Sequence, residues 1–345
     1  MKPVTVDFET GGIELRPEYP PVPVGAAIRW PGKRSKYLAW GHPCENNTTK
    51  SVARRELRDA WRHPGGVLFH NAAFDLAVGE VHLDLPWLSW DRFEDTKLLA
   101  FLADPYNRNI SLKPLAELHL GMPPDEQNEL REWICANVPE AKRKPSTWGA
   151  YICRAPGGLV GRYARGDVDR TYGLWTHFLP TRAAMPEAYE RERRILEVLE
   201  EMSNVGFPVD PRIEQIFAEA PKQRHRVEAW LRRRLGVGKT FDLQKREQLA
   251  DAIEDAGMLD EWIETKTGKR SLAHDDFALV CQDKQFAAAM HQRGMMQTIE
   301  NTFLRRWCDM YQQTGRVHVG WNSCVGDGKG ARTGRLSSTT NCSAS

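Results

Sequence analysis

The sequence predicts an α/β fold that opens on three antiparallel strands and passes into a mainly helical second half. Three observations carry this. The run Val4-Thr-Val-Asp7-Phe-Glu9-Thr10 alternates with the period of two expected of a strand. Val22 to Trp30 and Lys36 to Trp40 flank Pro31-Gly32-Lys33-Arg34, the pattern of a hairpin. After Pro180 the composition shifts to long, charged, amphipathic segments such as Glu187 to Met202.

Taken in order, Ser51 to Arg62 reads as a polar-faced helix and Gly66 to Phe69 as a short apolar strand. The chain then turns through His70-Asn71-Ala-Ala-Phe74-Asp75 into an apolar helical run, a strand-to-helix passage suited to presenting a carboxylate. Glu94-Asp95-Thr96 precedes a helix from Lys97 to Ala103, and Ser111-Leu-Lys-Pro-Leu115 carries a helix start with Pro in its first turn; both read as structural. Asp125 to Thr147, polar and Pro-containing with amphipathic patches such as Leu130 to Val138, is expected to be a surface excursion. Leu159 to Phe178 has helical periodicity.

Beyond the composition shift, a helix from Arg212 leads into Lys222 to Lys239, which holds seven basic residues against the single acid Glu228. That face is either solvated surface or a phosphate contact. Leu243 to Met258 is a further helix, and Thr265-Lys266-Thr-Gly-Lys269-Arg270-Ser271 a basic turn suited to a nucleic-acid backbone. His274-Asp275-Asp276 could pass for a metal-binding pair, but it stands where Asp caps the helix that follows. A last helix runs from about Phe286 to Tyr311, before the strand Gly315 to Gly320 and the basic turn Ala331 to Ser338.

A chain of 345 residues is long enough for two or three domains. With 48 Lys and Arg against 46 Asp and Glu, total charge says nothing of partners. MKPVTVDFET has no apolar leader core, and no stretch approaches the roughly 18 apolar residues that span a bilayer. A cytoplasmic location without a membrane partner is expected. The seven cysteines form no C-x-x-C pair and are expected to be free thiols.

Asp7 and Glu9 fall on one face of their strand. Two adjacent carboxylates repel, and a divalent cation with oxygen ligands is the usual neutraliser; a solvated acidic strand end is the alternative. Tyr163 and Asp167, four apart on a helix, share a face, and taken alone the pair fits a core tyrosine beside a solvated acid better than a site. In their order and surroundings, Asp7-Phe-Glu9, Asn71-Ala-Ala-Phe74-Asp75 and Tyr163-Ala-Arg-Gly-Asp167 resemble the three motifs of DEDDy 3'→5' exonucleases. Glu94-Asp95-Thr96 and Ser111 to Glu117 resemble segments that such enzymes carry between the second and third motifs.

The second half extends the likeness. Ile195 to Asp210 resembles the start of the thumb of family A DNA polymerases, Phe241 to Gln244 and Lys266 to Ser271 later thumb segments, and Thr314 to His318 with Arg332-Thr-Gly-Arg335-Leu-Ser-Ser338 the entry into the palm. This resemblance implies a ribonuclease-H-like exonuclease domain over 1–180, with a mixed sheet flanked by helices, a helical thumb-like region over 181–313 and the truncated start of a palm over 314–345. It further implies proofreading hydrolysis of single-stranded or frayed DNA 3' ends through two Mg2+ ions, with Mn2+ as substitute. Asp7, Glu9 and Asp167 would hold the ion that activates water, Asp7 with Asp75 the second, and Tyr163 would orient the water. Asn71 is a candidate donor to the substrate or a turn residue bonding its own backbone, and Phe8 is expected in the core.

Lys266, Lys269, Arg270, Arg332 and Arg335 are the expected phosphate contacts on primer-template DNA. The text departs from the family after Ser338 and ends at Ser345, before any palm carboxylate or fingers helix. Polymerisation by this chain alone is therefore not expected. A separate palm-and-fingers polypeptide is a candidate partner, which would make the chain the proofreading and DNA-binding subunit of a split polymerase. The lack of a preceding 5'-nuclease region suits a phage replication polymerase.

Overall fold

The computed structural model describes residues 1–324, 326 and 336–339. They form two compact units, Met1–Gly206 with His318–Thr339, and Phe207–Val317.

In the first unit, strands β1 (Val4–Thr10), β2 (Pro23–Arg29) and β3 (Lys36–Ala39) are followed by helix α1 (Lys50–Trp61), strand β4 (Val67–Phe69), helix α2 (Ala72–Leu83), strand β5 (Phe93–Asp95) and helix α3 (Thr96–Ala103). The sheet order is β3-β2-β1-β4-β5, with β1 in the centre. β1 and β3 both run antiparallel to β2, whereas β4 is parallel to β1 and to β5, so the sheet is mixed. Strand parity divides the core. Val4, Val6 and Phe8 pack with Ala26, Ile28, Leu38, Leu57, Trp61 and Leu76 on one face. Fully burying such apolar side chains contributes about 1.5 to 3 kcal/mol each. The opposite face sets Ala27, Tyr37 and Ala39 against later helices, and it is the face that the alternate β1 positions Thr5, Asp7 and Glu9 share.

Those later helices are α4 (Leu112–Leu120), α5 (Asp125–Asn137), α6 (Pro139–Arg143) and the long α7 (Gly157–His177), with a 3-10 segment at Pro145–Arg154. The stretch expected to be a surface excursion is thus largely helical. Leu130, Ile134, Val138 and Ala141 recur at intervals of three or four and bury against Val160, Ala164 and Val168 of α7. Helices α8 (Leu179–Ala184) and α9 (Pro186–Val205) complete this unit's helices, α9 packing on α3. The segment from 181 to 206, which the sequence groups with the thumb-like region, belongs to this first unit.

The second unit holds α10 (Ile213–Leu235), α11 (Arg246–Asp255), α12 (His274–Val280), α13 (Lys284–Thr298) and α14 (Arg305–Thr314), the last two joined by a π-helical turn at Ile299–Leu304. Leu231, Leu235, Leu249, Ile253, Phe277 and Phe286 form its core, and β6 (Phe207–Pro208) pairs with β7 (Arg316–Val317). Asp275 and Asp276 lie in the first turn of α12, but Ala273 holds the cap position and Asp276 accepts from Ser271 Oγ at 2.6 Å. In the first unit β8 (Gly320–Asn322) pairs with β9 (Ser337–Thr339). Among the described residues no helix is long and apolar enough to cross a membrane.

Candidate active site

Central position makes β1 the anchor of the site. Asp7 and Glu9 stand opposite Ala27 and Gly25 of β2, small residues that leave the space above them to other groups. At Gly25 a Cβ would overlap the Tyr37 ring, whose hydroxyl bonds His42 Nε2 at 2.7 Å. β4 pairs with β1 only at Val4 and Thr5, so the β1 backbone beyond them lacks a strand partner on that side. The Asp75 carboxylate takes the role. Its Oδ1 accepts the Phe8 N–H at 3.0 Å, while Phe8 itself is buried against Trp61, as expected of a core residue.

Asp75 is held in turn by the start of α2. There the carboxylate of Asp95, at the end of β5, accepts the N–H groups of Asn71 at 3.1 Å, Ala72 at 2.8 Å and Lys97 at 2.8 Å. One buried acid thereby satisfies the first turns of two helices. Asn71 adopts φ +80°, and its side-chain oxygen accepts from Lys97 Nζ at 2.9 Å, a partner within the chain rather than its own backbone.

Helix α7 supplies the other wall. Tyr163 and Asp167 do share a face, and carboxylate oxygens of Asp7, Glu9 and Asp167 all lie within 4.8 Å of one another. Asp75 stands outside that set. Into the cluster reaches a residue the sequence reading passed over as structural: Lys113 of α4, whose Nζ lies 2.7 Å from Asp167 Oδ2 and 3.0 Å from the Tyr163 hydroxyl. A signal existed. A lysine in the first turn of a helix is mildly disfavoured by the helix dipole, which marks the position without naming its partners. Asp167 Oδ1 accepts no hydrogen bond and sits 3.5 Å from Arg170 Nη1, which is itself held by Glu126.

Asp7, Glu9 and Asp167, with Asp75 acting on them from outside the set, exceed in charge what Lys113 and the Glu126-held Arg170 offset in this poorly solvated place. Burial first, then the Asp167 charge, push Asp7 up to about 7 against the pull of Lys113. Burial and the charges of Asp7 and Asp167 raise Glu9 well above the usual carboxylate range, and burial with the Asp7 charge does the same to Asp75. Tyr163 is raised by burial and by Asp167, Glu9 and Asp7, so its phenol stays protonated. Several hard oxygen donors whose charges are mutually unfavourable, one of them an oxygen with no hydrogen bond, fit a divalent cation.

The remaining expected contacts divide. In the second unit Lys266 and Lys269 are exposed on their turn, whereas Arg270 is clamped by Glu247 at 3.1 Å, Asp251 at 2.7 Å and Glu254 at 3.2 Å. Its guanidinium is thus already paired within the chain. The basic face of α10 is likewise partly spent, since Arg224 pairs with Glu228 and Glu300, Arg232 with Glu228, and Arg234 with Asp283. Arg332 and Arg335 lie outside the described residues.

No family model matches the chain. DNA polymerase I of Rhizobium leguminosarum is 28% identical over 258 residues, 72% of this chain and 23% of the relative. DNA polymerase DpoZ of Vibrio phage phiVC8 is 25% identical over 302 residues, 80% of this chain and 46% of the relative. The chain therefore spans less than half the length of these curated relatives. Among solved structures, the POL domain of Pol1 from M. smegmatis, in complex with DNA primer-template and dNTP, matches with TM-score 0.66 and 19% identity over 98% of this chain and 51% of that one. The chain is thus similar to a bacterial DNA polymerase I and to a phage DNA polymerase, and its fold is similar to that of the POL domain of Pol1.

Proposed function

We propose that the first unit is a metal-dependent 3'→5' exodeoxyribonuclease of ribonuclease-H-like fold, the proofreading part of a family A DNA polymerase. One observation carries the reading: Asp7, Glu9 and Asp167, from a central strand and a distant helix, meet within 4.8 Å beside the Tyr163 hydroxyl. Divalent cations, Mg2+ by ligand hardness with Mn2+ as substitute, would be held by Asp7, Glu9 and Asp167 and by Asp7 with Asp75, and would relieve the negative charge of the reacting phosphodiester.

The chain's own groups account for the rest. Glu9, made basic by burial and by its acidic neighbours, is suited to take the proton of the attacking water. The protonated Tyr163 phenol, fixed between Lys113 and Asp167, is suited to hold that water in line. Water oxygen bonds to phosphorus as the bond to the leaving 3'-oxygen breaks, and that oxygen takes a proton from solvent. The second unit is read as the thumb-like DNA-binding region, with Lys266 and Lys269 facing the backbone of primer-template DNA.

The test is digestion of 3'-labelled and 5'-labelled single-stranded DNA with Mg2+, alongside Asp7→Ala and an EDTA arm. Stepwise loss from the 3' end, absent from the variant and from EDTA, is expected. A folded protein that binds DNA yet cuts nothing would replace this reading with that of a DNA-binding subunit dependent on a separate palm-and-fingers polypeptide.

A further inference from the structure

Away from the carboxylates, the first unit holds a second polar cleft of about 670 Å³, where the β2–β3 hairpin meets the outer side of α7. It is lined by Arg29, Lys33, Arg34, Ser35, Arg165 and Asp169, with Gly32 at the hairpin tip. Four cations thus face one carboxylate, an excess larger than the net +2 of the whole chain.

That single carboxylate is already committed. Asp169 Oδ1 pairs with Arg29 Nη1 at 2.5 Å, and its Oδ2 accepts from Ser35 Oγ at 2.9 Å. Arg29 is fixed from the other side, its guanidinium 4.3 Å over the Tyr172 ring. These contacts tie the hairpin to α7 and give the cleft a set floor. Above it, Lys33, Arg34 and Arg165 are exposed and make no ion pair among the described residues. Elsewhere about half of the described arginines find a carboxylate, among them Arg16, Arg54, Arg154, Arg162 and Arg170. Three like charges converging without a partner repel one another, and an anion would relieve them.

We propose that this cleft is a second nucleic-acid contact, binding successive phosphates of a single strand by charge alone. The chemistry favours a strand backbone over a free nucleotide. Lysine and arginine donors suit phosphate oxygens, and the lining offers no aromatic face for a base, since Arg29 covers Tyr172. Binding here would be indifferent to sequence and steep in salt. It needs none of the four carboxylates, so it stands whether or not the nuclease reading does.

The test is fluorescence anisotropy with a labelled single-stranded oligonucleotide in EDTA, where no metal-dependent cleavage occurs, across a range of salt. Lys33→Ala/Arg34→Ala/Arg165→Ala should keep the far-UV circular dichroism and melting of the wild type, because all three side chains are exposed. At about 0.7 counterions per phosphate contact, losing three contacts lowers the log–log salt slope by about 2 and weakens binding by one to two orders of magnitude near 0.1 M salt. The comparison variant Lys142→Ala/Arg143→Ala/Lys144→Ala removes equal charge from another exposed surface. An unchanged affinity in the cleft variant, or an equal loss in the comparison variant, overturns the proposal. A third arm adds pyrophosphate or inorganic phosphate. A cleft variant that loses protection by these ions against thermal unfolding yet binds the oligonucleotide normally would make this a free-phosphate site, and would overturn the strand reading too.

Discussion

Asp7→Asn should make the metal-free protein more stable, and the size of the gain follows from the cluster. The Asp7 carboxyl releases its proton near 3.8 when unfolded and near 7 when folded. Below the lower value both states are protonated and the group has no effect. As pH rises between the two, the folded state holds a proton that the unfolded chain has lost, so stability falls, and above about 7 the loss is complete. A tenfold change in proton affinity is worth about 1.4 kcal/mol, so the rise from 3.8 to about 7 sets a ceiling of roughly 4 kcal/mol. Asp7 keeps partial exposure and its neighbours relax, which brings the expected gain to about 2 to 3 kcal/mol at pH 8. For a unit of this size that is a melting temperature higher by about 4 to 12 °C. Thermal unfolding in EDTA at pH 8 reads it directly, and at pH 3, below the unfolded value, the gain should vanish. Added Mn2+ or Mg2+ should then raise the wild type while leaving the Asn variant almost unmoved. An Asn variant that melts at or below the wild type at pH 8 in EDTA would refute the electrostatic account of the cluster.

Lys113→Met removes the only ammonium bonded to Asp167 and Tyr163 among the described residues, and should destabilise the metal-free protein by about 2 to 4 kcal/mol at pH 8. It should also lower the Mn2+ concentration at half-maximal thermal stabilisation, because a like charge has left; an unmoved midpoint would count against Lys113 as part of the site. In the second unit Glu228 is buried, and although burial raises its carboxyl, the hydrogen bonds from Arg224 and Arg293 hold it below the usual range. Glu228→Gln should cost about 3 kcal/mol by leaving Arg293 without its carboxylate while Arg224 keeps Glu300, read as faster hydrogen exchange in α10 and α13. Unchanged exchange there would refute it.

What was legible in the sequence had short-range causes. The period of two set Asp7 and Glu9 on one face, helical spacing did the same for Tyr163 and Asp167, and Asp75 could be placed because a short apolar strand ends just before it. What was not legible depended on partners far along the chain. Lys113 meets its partners 50 and 54 residues away, and nothing local names them. Arg270 looked like a free cation because Glu247, Asp251 and Glu254 acquire their common face only once α11 forms. Strand β5 spans only Phe93-Glu-Asp95, too short to alternate, and owes its existence to pairing with β4. The misread stretch from 125 to 147 is different. Its Leu130, Ile134, Val138 and Ala141 spacing was already present, and the polar residues that suggested an excursion are the outer faces of the same helices.

Helix α7 ties these readings into one physical constraint. A helix turns about 100° per residue, so Tyr163 and Asp167 face the carboxylates while Arg165 and Asp169, offset by two positions from each, face the hairpin. Between the two polar faces, Val160, Ala164 and Val168 bury against the sheet and α5, and so fix how far the helix can rotate. Close packing there is not optional. At Gly161 a Cβ would come 3.1 Å from the Tyr37 ring, and at Gly157 it would come 2.6 Å from the Glu45 carbonyl oxygen. A side chain at either position would push α7 away from β2 and β3. That displacement would move Asp167 from Asp7 and Glu9 and Arg165 from Lys33 and Arg34 together. Damage to the carboxylate cluster and to the basic cleft should therefore arise jointly from changes in the buried stripe of α7, and separately from changes on its two polar faces.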